Sequence, residues 1–250
     1  MTEQFVILAI SPFVGSFLAN LVVRLPAGEG FVFSRSKCRT CEEKLTWWEL
    51  VPLLSWLRQG GKCQHCGALI SKLYPLIELA SLAIAIWTVM VLPNGLLLWS
   101  SCVLGWILLT QAVIDWRTLV LPDSLTLPLL PIGLAMTWWR VPDQVFWHLA
   151  ASTATAALLL FLRYVISRLK NQEALGLGDV KLAAGAAAWL GPIGIVSALA
   201  WASISGLIYG LWQRRKGDSD KSPVIPFGPF LALGFWLTWL YGPIVLGTYH

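Results

Sequence analysis

Four of the five cysteines form two C-x2-C pairs, and 21 residues separate the pairs. Cys38 and Cys41 make the first pair, and Cys63 and Cys66 make the second. Each pair can bind one metal ion from a tight turn, and two pairs complete a tetrahedral thiolate shell. The spacing therefore predicts a structural Zn²⁺ site, because four thiolates leave no open position for a substrate. Other interpretations are His65 in place of one cysteine, two disulfides, or free thiols.

Four carboxylates lie near the ends of apolar segments, where acidic side chains are rare and therefore informative. They are Glu78, Asp115, Asp123 and Asp179. Each also has a purely structural interpretation. Asp123 and Asp179 stand where a helix N-cap is expected, and Asp115 and Glu78 are placed to pair with basic groups.

Two glycines, Gly176 and Gly178, stand directly before Asp179. Glycines beside a membrane carboxylate allow a peptide backbone to approach closely, so we predict that both bind an extended substrate. A second aspartate from a neighbouring helix would complete an aspartyl pair. In such a pair the ionised carboxylate takes a proton from water, and the protonated one polarises the scissile carbonyl.

The composition is that of an integral membrane protein. Hydrophobic residues make up 57% of the 250 residues and charged residues only 12%, whereas about 25% is usual in soluble domains. Mean hydropathy is +0.69 and there are fifteen tryptophans. Disordered, fibrous and disulfide-rich secreted classes are excluded. The net charge of +5 is expected to reflect membrane topology and not binding of nucleic acid.

Apolar segments recur along the chain at lengths that suit membrane-spanning helices. They cover residues 5–23, 73–92, 96–114, 124–139, 145–166, 180–213 and 226–246. The sequence therefore predicts an all-α polytopic membrane protein with about eight transmembrane helices and a small cytoplasmic zinc-binding loop domain. The expected domains are a first transmembrane helix (1–24), the zinc-binding loop (25–72) and a helical membrane domain that holds the aspartates (73–250).

Segment 180–213 decides the number of spans. It contains Gly191-Pro192 in its middle, and it either crosses the membrane twice or begins with a re-entrant half-helix. If it crosses twice, every Lys and Arg except Arg140 lies on one side; otherwise the basic loop 214–222 falls on the other side. The positive-inside rule favours two crossings. It also places the cysteines in the cytoplasm, where disulfides are disfavoured.

Six motifs follow one another along the chain. They are GSFL at 15–18 with RLP at 24–26, the paired C-x2-C motifs, PLLSWL at 52–57 with YPLIE at 74–78, ID at 114–115 with LPDSLTLP at 121–128, GLGDVK at 176–181, and PFGPF at 226–230. In this order they resemble the motifs of the type IV prepilin peptidases, a family of GxGD membrane aspartyl proteases.

The resemblance implies an aspartyl endopeptidase of the bacterial inner (cytoplasmic) membrane. Such an enzyme removes a short basic leader from type IV prepilins or type II secretion pseudopilins after a Gly, and then methylates the new N-terminus with S-adenosylmethionine. By resemblance Asp115 and Asp179 are the catalytic pair at the cytoplasmic side, and Asp123 has a capping or supporting role. The expected partners are the prepilin substrate and the lipid bilayer. No glycine-rich nucleotide motif indicates where the methyl donor binds.

Two other functions fit parts of the pattern. One is a zinc-loop membrane transporter or scaffold, whose buried carboxylates line an ion path. The other is a GxGD protease that cuts within the transmembrane span of its substrate and not at a leader junction.

Overall fold

The computed structural model describes residues 2–29, 36–170, 175–215 and 225–244. Within these ranges regular structure is helical, apart from two isolated antiparallel bridges. The helices are α1 (Thr2–Arg24), α2 (Leu54–Arg58), α3 (Leu73–Val91), α4 (Leu96–Thr118), α5 (Asp123–Thr126), α6 (Leu129–Arg140), α7 (Val145–Lys170), α8 (Leu177–Arg215) and α9 (Gly228–Tyr241), with short 3-10 helices at Trp47–Leu50 and Pro142–Gln144. The predicted all-helical fold is confirmed.

Five helical segments are long and apolar enough to cross a membrane, namely α1, α3, α4, Pro142–Leu169 and α8. With 12 and 14 residues, α6 and α9 are shorter than the roughly 20 residues that a perpendicular span needs. The structure therefore supports a multi-pass membrane protein with five candidate spans, and the total of eight stays a prediction.

Helix boundaries differ from the predicted segments where prolines and glycines intervene. Segment 124–139 is divided between α5 and α6, because Pro128 and Pro131 have no N–H to donate to the preceding turn. The last helix ends at Tyr241, where Gly242 takes a φ of 82°. The predicted basic loop 214–222 is described only to Arg215. Residues 216–224, 30–35 and 171–174 lie outside the described parts of the chain.

The helix α8 is interrupted at Gly191, whose φ of 69° and ψ of −173° are not helical. Pro192 follows and has no N–H, so the carbonyl of Ala188 loses its normal donor four residues ahead. The Thr137 hydroxyl and His148 Nδ1 lie 3.3 Å and 3.1 Å from that carbonyl oxygen. Side chains of α6 and α7 therefore compensate for the bond that the proline removes.

The two arms of α8 on either side of Gly191 run in opposite directions. Asp179 in the first arm and Ala202 in the second line the same cavity, although 23 residues would separate them by about 35 Å in a straight helix. The chain must therefore turn back at Gly191. The first arm packs on α6 and α7 and, through Trp189, on α9, and the second arm also packs on α9. One contact of the first arm is the bond from Trp189 Nε1 to the carbonyl oxygen of Leu129, at 2.8 Å.

The chain divides into two compact units, Met1–Thr110 and Gln111–His250. In the first unit α1 packs closely on α3, because a Cβ at Gly15 would lie 2.6 Å from the Cα of Glu78. Ser81 Oγ in α3 also donates a hydrogen bond of 2.6 Å to the carbonyl of Ser11 in α1. The second unit is built around α8 and contains Asp115, Asp123 and Asp179. The predicted domain boundaries at residues 24 and 72 stay a prediction.

Candidate active site and metal centre

Asp115 lies near the end of α4 and is 5% exposed. Its Oδ2 accepts a hydrogen bond of 3.0 Å from the backbone N–H of Gly228, the first residue of α9. The carboxylate thus satisfies one of the free N–H groups at the start of that helix. A Cβ at position 228 would lie 2.6 Å from Oδ2, so only glycine permits this approach. The motif at 226–230 pointed to this segment, but the sequence did not reveal its contact with Asp115.

Asp179 is the third residue of α8, and the N-cap is Gly176 and not the predicted Asp179. The carboxylate turns back towards the start of the helix, and a Cβ at Gly176 would lie 3.1 Å from its Oδ2. The side chain is 9% exposed, and its Oδ1 is buried without a hydrogen-bond partner among the described residues. One oxygen therefore lies beside the helix start, and the other remains available for chemistry.

Asp115 and Asp179 line one cavity of about 500 Å³ and are close enough for their charges to interact. The rest of the wall is largely apolar and includes Leu119, Leu207, Ile225, Phe227 and Phe230. The structure thus brings together the two aspartates that were predicted to act as a pair. A carboxylate pair in an apolar cavity is suited to activating water against a carbonyl group.

The two glycines of the GLGD motif have different surroundings. Gly176 lines the cavity beside Asp179. Gly178 faces Leu121, and a Cβ there would lie 2.7 Å from the Cβ of Leu121. The close approach at Gly178 is therefore to a neighbouring segment of the protein. Substrate binding by either glycine stays a prediction.

Asp123 is the first residue of α5, whose N-cap is Pro122, and it makes no capping hydrogen bond. The structure therefore does not show the capping role, and the alternative supporting role stays a prediction. Its Oδ1 instead accepts a hydrogen bond of 2.5 Å from Lys181 Nζ. Because Lys181 belongs to the GLGDVK motif, this ion pair joins α5 to the arm of α8 that carries Asp179.

Glu78, which belongs to the first unit, is 6% exposed. Its Oε2 accepts a hydrogen bond of 2.7 Å from the backbone N–H of Leu53. This bond takes the place of the predicted ion pair with a basic group. Leu53 has a φ of 60°, a conformation that is unfavourable for a leucine and needs support from its surroundings. Glu78 therefore fixes the loop to α3.

The four predicted metal ligands form one cluster, in which the Sγ atoms of Cys38, Cys41, Cys63 and Cys66 all lie within 4.8 Å of one another. The Sγ atoms of Cys38 and Cys66 are 3.8 Å apart. A tetrahedral ion with Zn–S bonds of about 2.3 Å requires sulfur–sulfur distances of about 3.8 Å. No disulfide joins any two of these four cysteines, and the cluster could hold a metal ion.

The two cysteine pairs adopt the same turn. The N–H of Cys38 bonds to the carbonyl of Glu43, and that of Cys63 bonds to the carbonyl of Ala68. The fourth residue after each first cysteine, Glu42 or Gly67, has a positive φ. Hydrogen bonds from the backbone N–H groups of Cys41 and Thr40 lower the pKa of Cys38 to about 6. A thiolate at neutral pH is the form that binds metal.

Comparison with known proteins is consistent with this geometry. Residues 9–92 match the bacterial peptidase A24 N-terminal domain, and residues 102–211 match the type IV leader peptidase family. A prepilin leader peptidase/N-methyltransferase of Aeromonas salmonicida is 35% identical over 219 residues, which cover 86% of this chain and 74% of that relative. The chain belongs to the type IV leader peptidase family. The resemblance inferred from the motifs is confirmed.

Other members of the family show similar relationships. A prepilin leader peptidase/N-methyltransferase of Burkholderia pseudomallei is 36% identical, with 87% of this chain and 71% of that relative covered. One of Pseudomonas aeruginosa is 31% identical over 94% of this chain and 89% of its own length. No solved structure matches the chain. The segment matched to the leader peptidase family contains both cavity aspartates, and the segment matched to the N-terminal domain contains the four cysteines.

Proposed function

We propose that the protein is a membrane aspartyl endopeptidase that removes the short basic leader of type IV prepilins or type II secretion pseudopilins, cutting after a Gly. The observation that carries this proposal is the cavity lined by both Asp115 and Asp179. These residues are 64 positions apart in the sequence, so their meeting depends on the fold. The printed names of the relatives support prepilins as the substrate class.

In the proposed mechanism the two carboxylates share one negative charge, because like charges at close range do not ionise together. The ionised carboxylate takes a proton from water as the water attacks the scissile carbonyl, and the protonated one polarises that carbonyl. The Gly228 N–H orients Asp115, and the start of α8 orients Asp179. The apolar wall suits the hydrophobic start of the mature pilin on the other side of the cut.

The names of the relatives also support a second step, N-methylation of the new N-terminus. S-adenosylmethionine would supply the methyl group. We assign this activity to the protein by its family, without assigning donor-binding residues.

For the metal we propose one structural Zn²⁺ bound by Cys38, Cys41, Cys63 and Cys66. The close grouping of the four sulfur atoms supports this choice. Four thiolates complete the shell, so the ion would stabilise the loop without touching the substrate.

For the topology we propose eight membrane crossings in the bacterial inner membrane, with the zinc loop and the active site at the cytoplasmic side. The non-helical backbone at Gly191 supports two crossings within α8. The distribution of Lys and Arg along the sequence supports the orientation.

The experiment that tests the function is mass spectrometry of the N-terminus of a prepilin co-expressed with the protein. We expect loss of the leader at the Gly junction and the mass increment of one methyl group. An Asp115→Asn variant is the matched control and should leave the leader in place. An unprocessed prepilin with the unmodified protein would favour the transporter or scaffold, and a cut within the apolar stretch would favour the other protease class.

A further inference from the structure

The zinc loop carries an unusual group of exposed apolar side chains. They are Trp47, Trp48, Leu50, Leu54 and Leu57, which we call the Trp–Leu patch. Their exposures run from 42% at Leu50 to 67% at Leu54 and Leu57. The rings of Trp47 and Trp48 stack with their centroids 3.6 Å apart. The 3-10 helix that carries the tryptophans contacts α2, which carries the last two leucines.

Among the described residues of the loop, these side chains are more exposed than the tryptophan beside them, Trp56, which is half-buried. Trp56, in the same short helix as Leu54 and Leu57, turns towards the second cysteine pair instead. Its Nε1 donates a hydrogen bond to the carbonyl of Ile70, and its ring lies against Gly61. One side of α2 therefore supports the metal turns, and the side with Leu54 and Leu57 faces outward.

The hydrogen bond from Leu53 to Glu78 fixes the depth of the patch relative to the membrane. Glu78 is five residues inside α3, so it lies about 7.5 Å along the helix axis from Leu73. With 19 residues, α3 is about as long as the hydrocarbon core is thick. The backbone immediately before Leu54 therefore lies about one and a half turns from the start of α3, at the end of the helix that meets the boundary between headgroups and acyl chains. On either side of Glu78, Leu76 and Leu79 are 60% and 51% exposed, as expected of a lipid-facing helix surface.

The charges near the patch favour an anionic surface. Between positions 46 and 72 there are three basic residues, Arg58, Lys62 and Lys72, and one acidic residue, Glu49. All three basic side chains are exposed. Each Lys or Arg near a negatively charged membrane adds to the attraction. The same charges would repel the basic leader of the proposed substrate.

We propose that the Trp–Leu patch is a membrane-docking surface, which inserts into the headgroup–acyl boundary of an anionic bilayer and holds the zinc loop flat against it. Tryptophan is the residue type most typical of that boundary. This proposal goes beyond the peptidase function and does not depend on it.

The test uses the full-length protein in nanodiscs that contain phosphatidylglycerol, with brominated or ordinary acyl chains. The tryptophan fluorescence of the unmodified protein minus that of a Trp47→Phe, Trp48→Phe double variant is the emission of those two rings alone. We expect brominated lipid to quench that emission at least about twofold, as for rings at the boundary, and aqueous iodide to quench it little. Trp138→Phe is the control for a lipid-facing ring, at 67% exposure, and Trp189→Phe is the control for a buried ring, at 4%.

Three results would overturn the proposal. One is quenching of the pair by iodide and not by brominated lipid. Another is equal quenching by brominated lipid when phosphatidylcholine replaces all phosphatidylglycerol, which would remove the role of anionic headgroups. The third is shielding of the pair only after prepilin is added, which would make the patch a substrate-docking surface.

A second pair of variants tests the leucines. A Leu54→Glu, Leu57→Glu double variant should lose most of the quenching by brominated lipid. Leu69→Glu should keep it, because Leu69 is 82% exposed but lies outside the patch. Bound metal, measured in each variant, reports whether the loop is still folded. Unchanged quenching in the double variant with its metal retained would contradict the proposal, and if that variant loses its metal the tryptophan measurement decides alone.

Discussion

At the scale of single residues, the two cavity aspartates lie against backbone groups of helix starts. Gly228 donates to Asp115, and the Asp179 carboxylate lies beside the backbone of Gly176. Among the described residues that line the cavity, no other base could substitute for either carboxylate in the proposed mechanism. A side chain that keeps the hydrogen bond but cannot ionise should therefore preserve the fold and lose the chemistry.

Asp115→Asn and Asp179→Asn should each lower leader cleavage by at least about 100-fold, the scale of general acid–base contributions. Membrane levels of both variants should equal those of the unmodified protein. Processing of a prepilin by gel mobility and mass spectrometry is the measurement. Asp123→Asn is the matched control and should be milder, since Asp123 is exposed and pairs with Lys181, and ion pairs at an exposed position contribute little. An inactive Asp123→Asn beside an active Asp115→Asn would mean that the wrong aspartate was assigned.

Gly228→Ala should reduce kcat by about 10- to 100-fold, because small displacements of a catalytic group are costly. The added Cβ would stand 2.6 Å from Asp115 Oδ2 and push the carboxylate away from its N–H donor. Gly206→Ala is the control, since its Cβ would meet the ring of Phe230 at an ordinary 3.5 Å in the wall of the same cavity. Equal losses in both variants would indicate reduced cavity volume and not a displaced Asp115.

At the scale of elements, Gly178 brings the start of α8 against the segment before α5. Gly178→Ala should destabilise the protein by about 1–3 kcal/mol through overpacking against Leu121 and should lower cleavage as well. Adding Leu121→Gly should restore cleavage, because it removes Cβ, Cγ and Cδ1 of Leu121, the three atoms that the new methyl group meets. Thermal unfolding in detergent and prepilin processing measure the effects on stability and on cleavage. Normal stability of Gly178→Ala, with a loss of cleavage that Leu121→Gly does not repair, would instead support a direct role in substrate binding.

The zinc loop should depend on its metal. Cys66→Ser should lower bound metal from about one equivalent per chain and should lower the protein level with it, since an incomplete shell removes folding free energy. Cys102→Ser is the matched control, because Cys102 is buried away from the cluster, in α4. Metal analysis and immunoblotting give the two readings. A Cys66→Ser protein without metal but with unchanged stability and activity would show that the ion is dispensable.

Short sequence motifs predicted the parts of the site whose residues lie close together in the chain. The spacing of the C-x2-C pairs predicted the cysteine cluster, and the GLGD motif drew attention to Asp179, whereas Asp115 was assigned as its partner by resemblance to the family. Contacts between distant segments were beyond that reasoning. The bond from Gly228 to Asp115 joins residues 113 positions apart. The bond from Leu53 to Glu78 and the ion pair of Asp123 replaced roles that sequence position suggested, because tertiary packing supplied other partners.

At the scale of the whole molecule, the topology is testable with reporters that are active only outside the cytoplasm. Fusions after Pro142 and after Ile193 should be active, and a fusion after Arg215 should be inactive, if α8 crosses twice. The physical reason is the turn at Gly191, which sends the second arm back towards the side from which the first one came. An active reporter after Arg215 would mean that the first arm is re-entrant.

The turn at Gly191 also has a consequence for how the protein is made. Only 14 residues, 177–190, lie in α8 before Gly191, about 21 Å of helix, and this arm carries Asp179 and Lys181. So short a segment does not partition stably into a bilayer by itself. We expect the insertion machinery to retain it until the second arm has been synthesised and then to release both arms into lipid as one hairpin. A ribosome stalled shortly after Gly191 would accordingly hold a chain in which Asp115 is already in the membrane, whereas Asp179 has not yet entered the lipid.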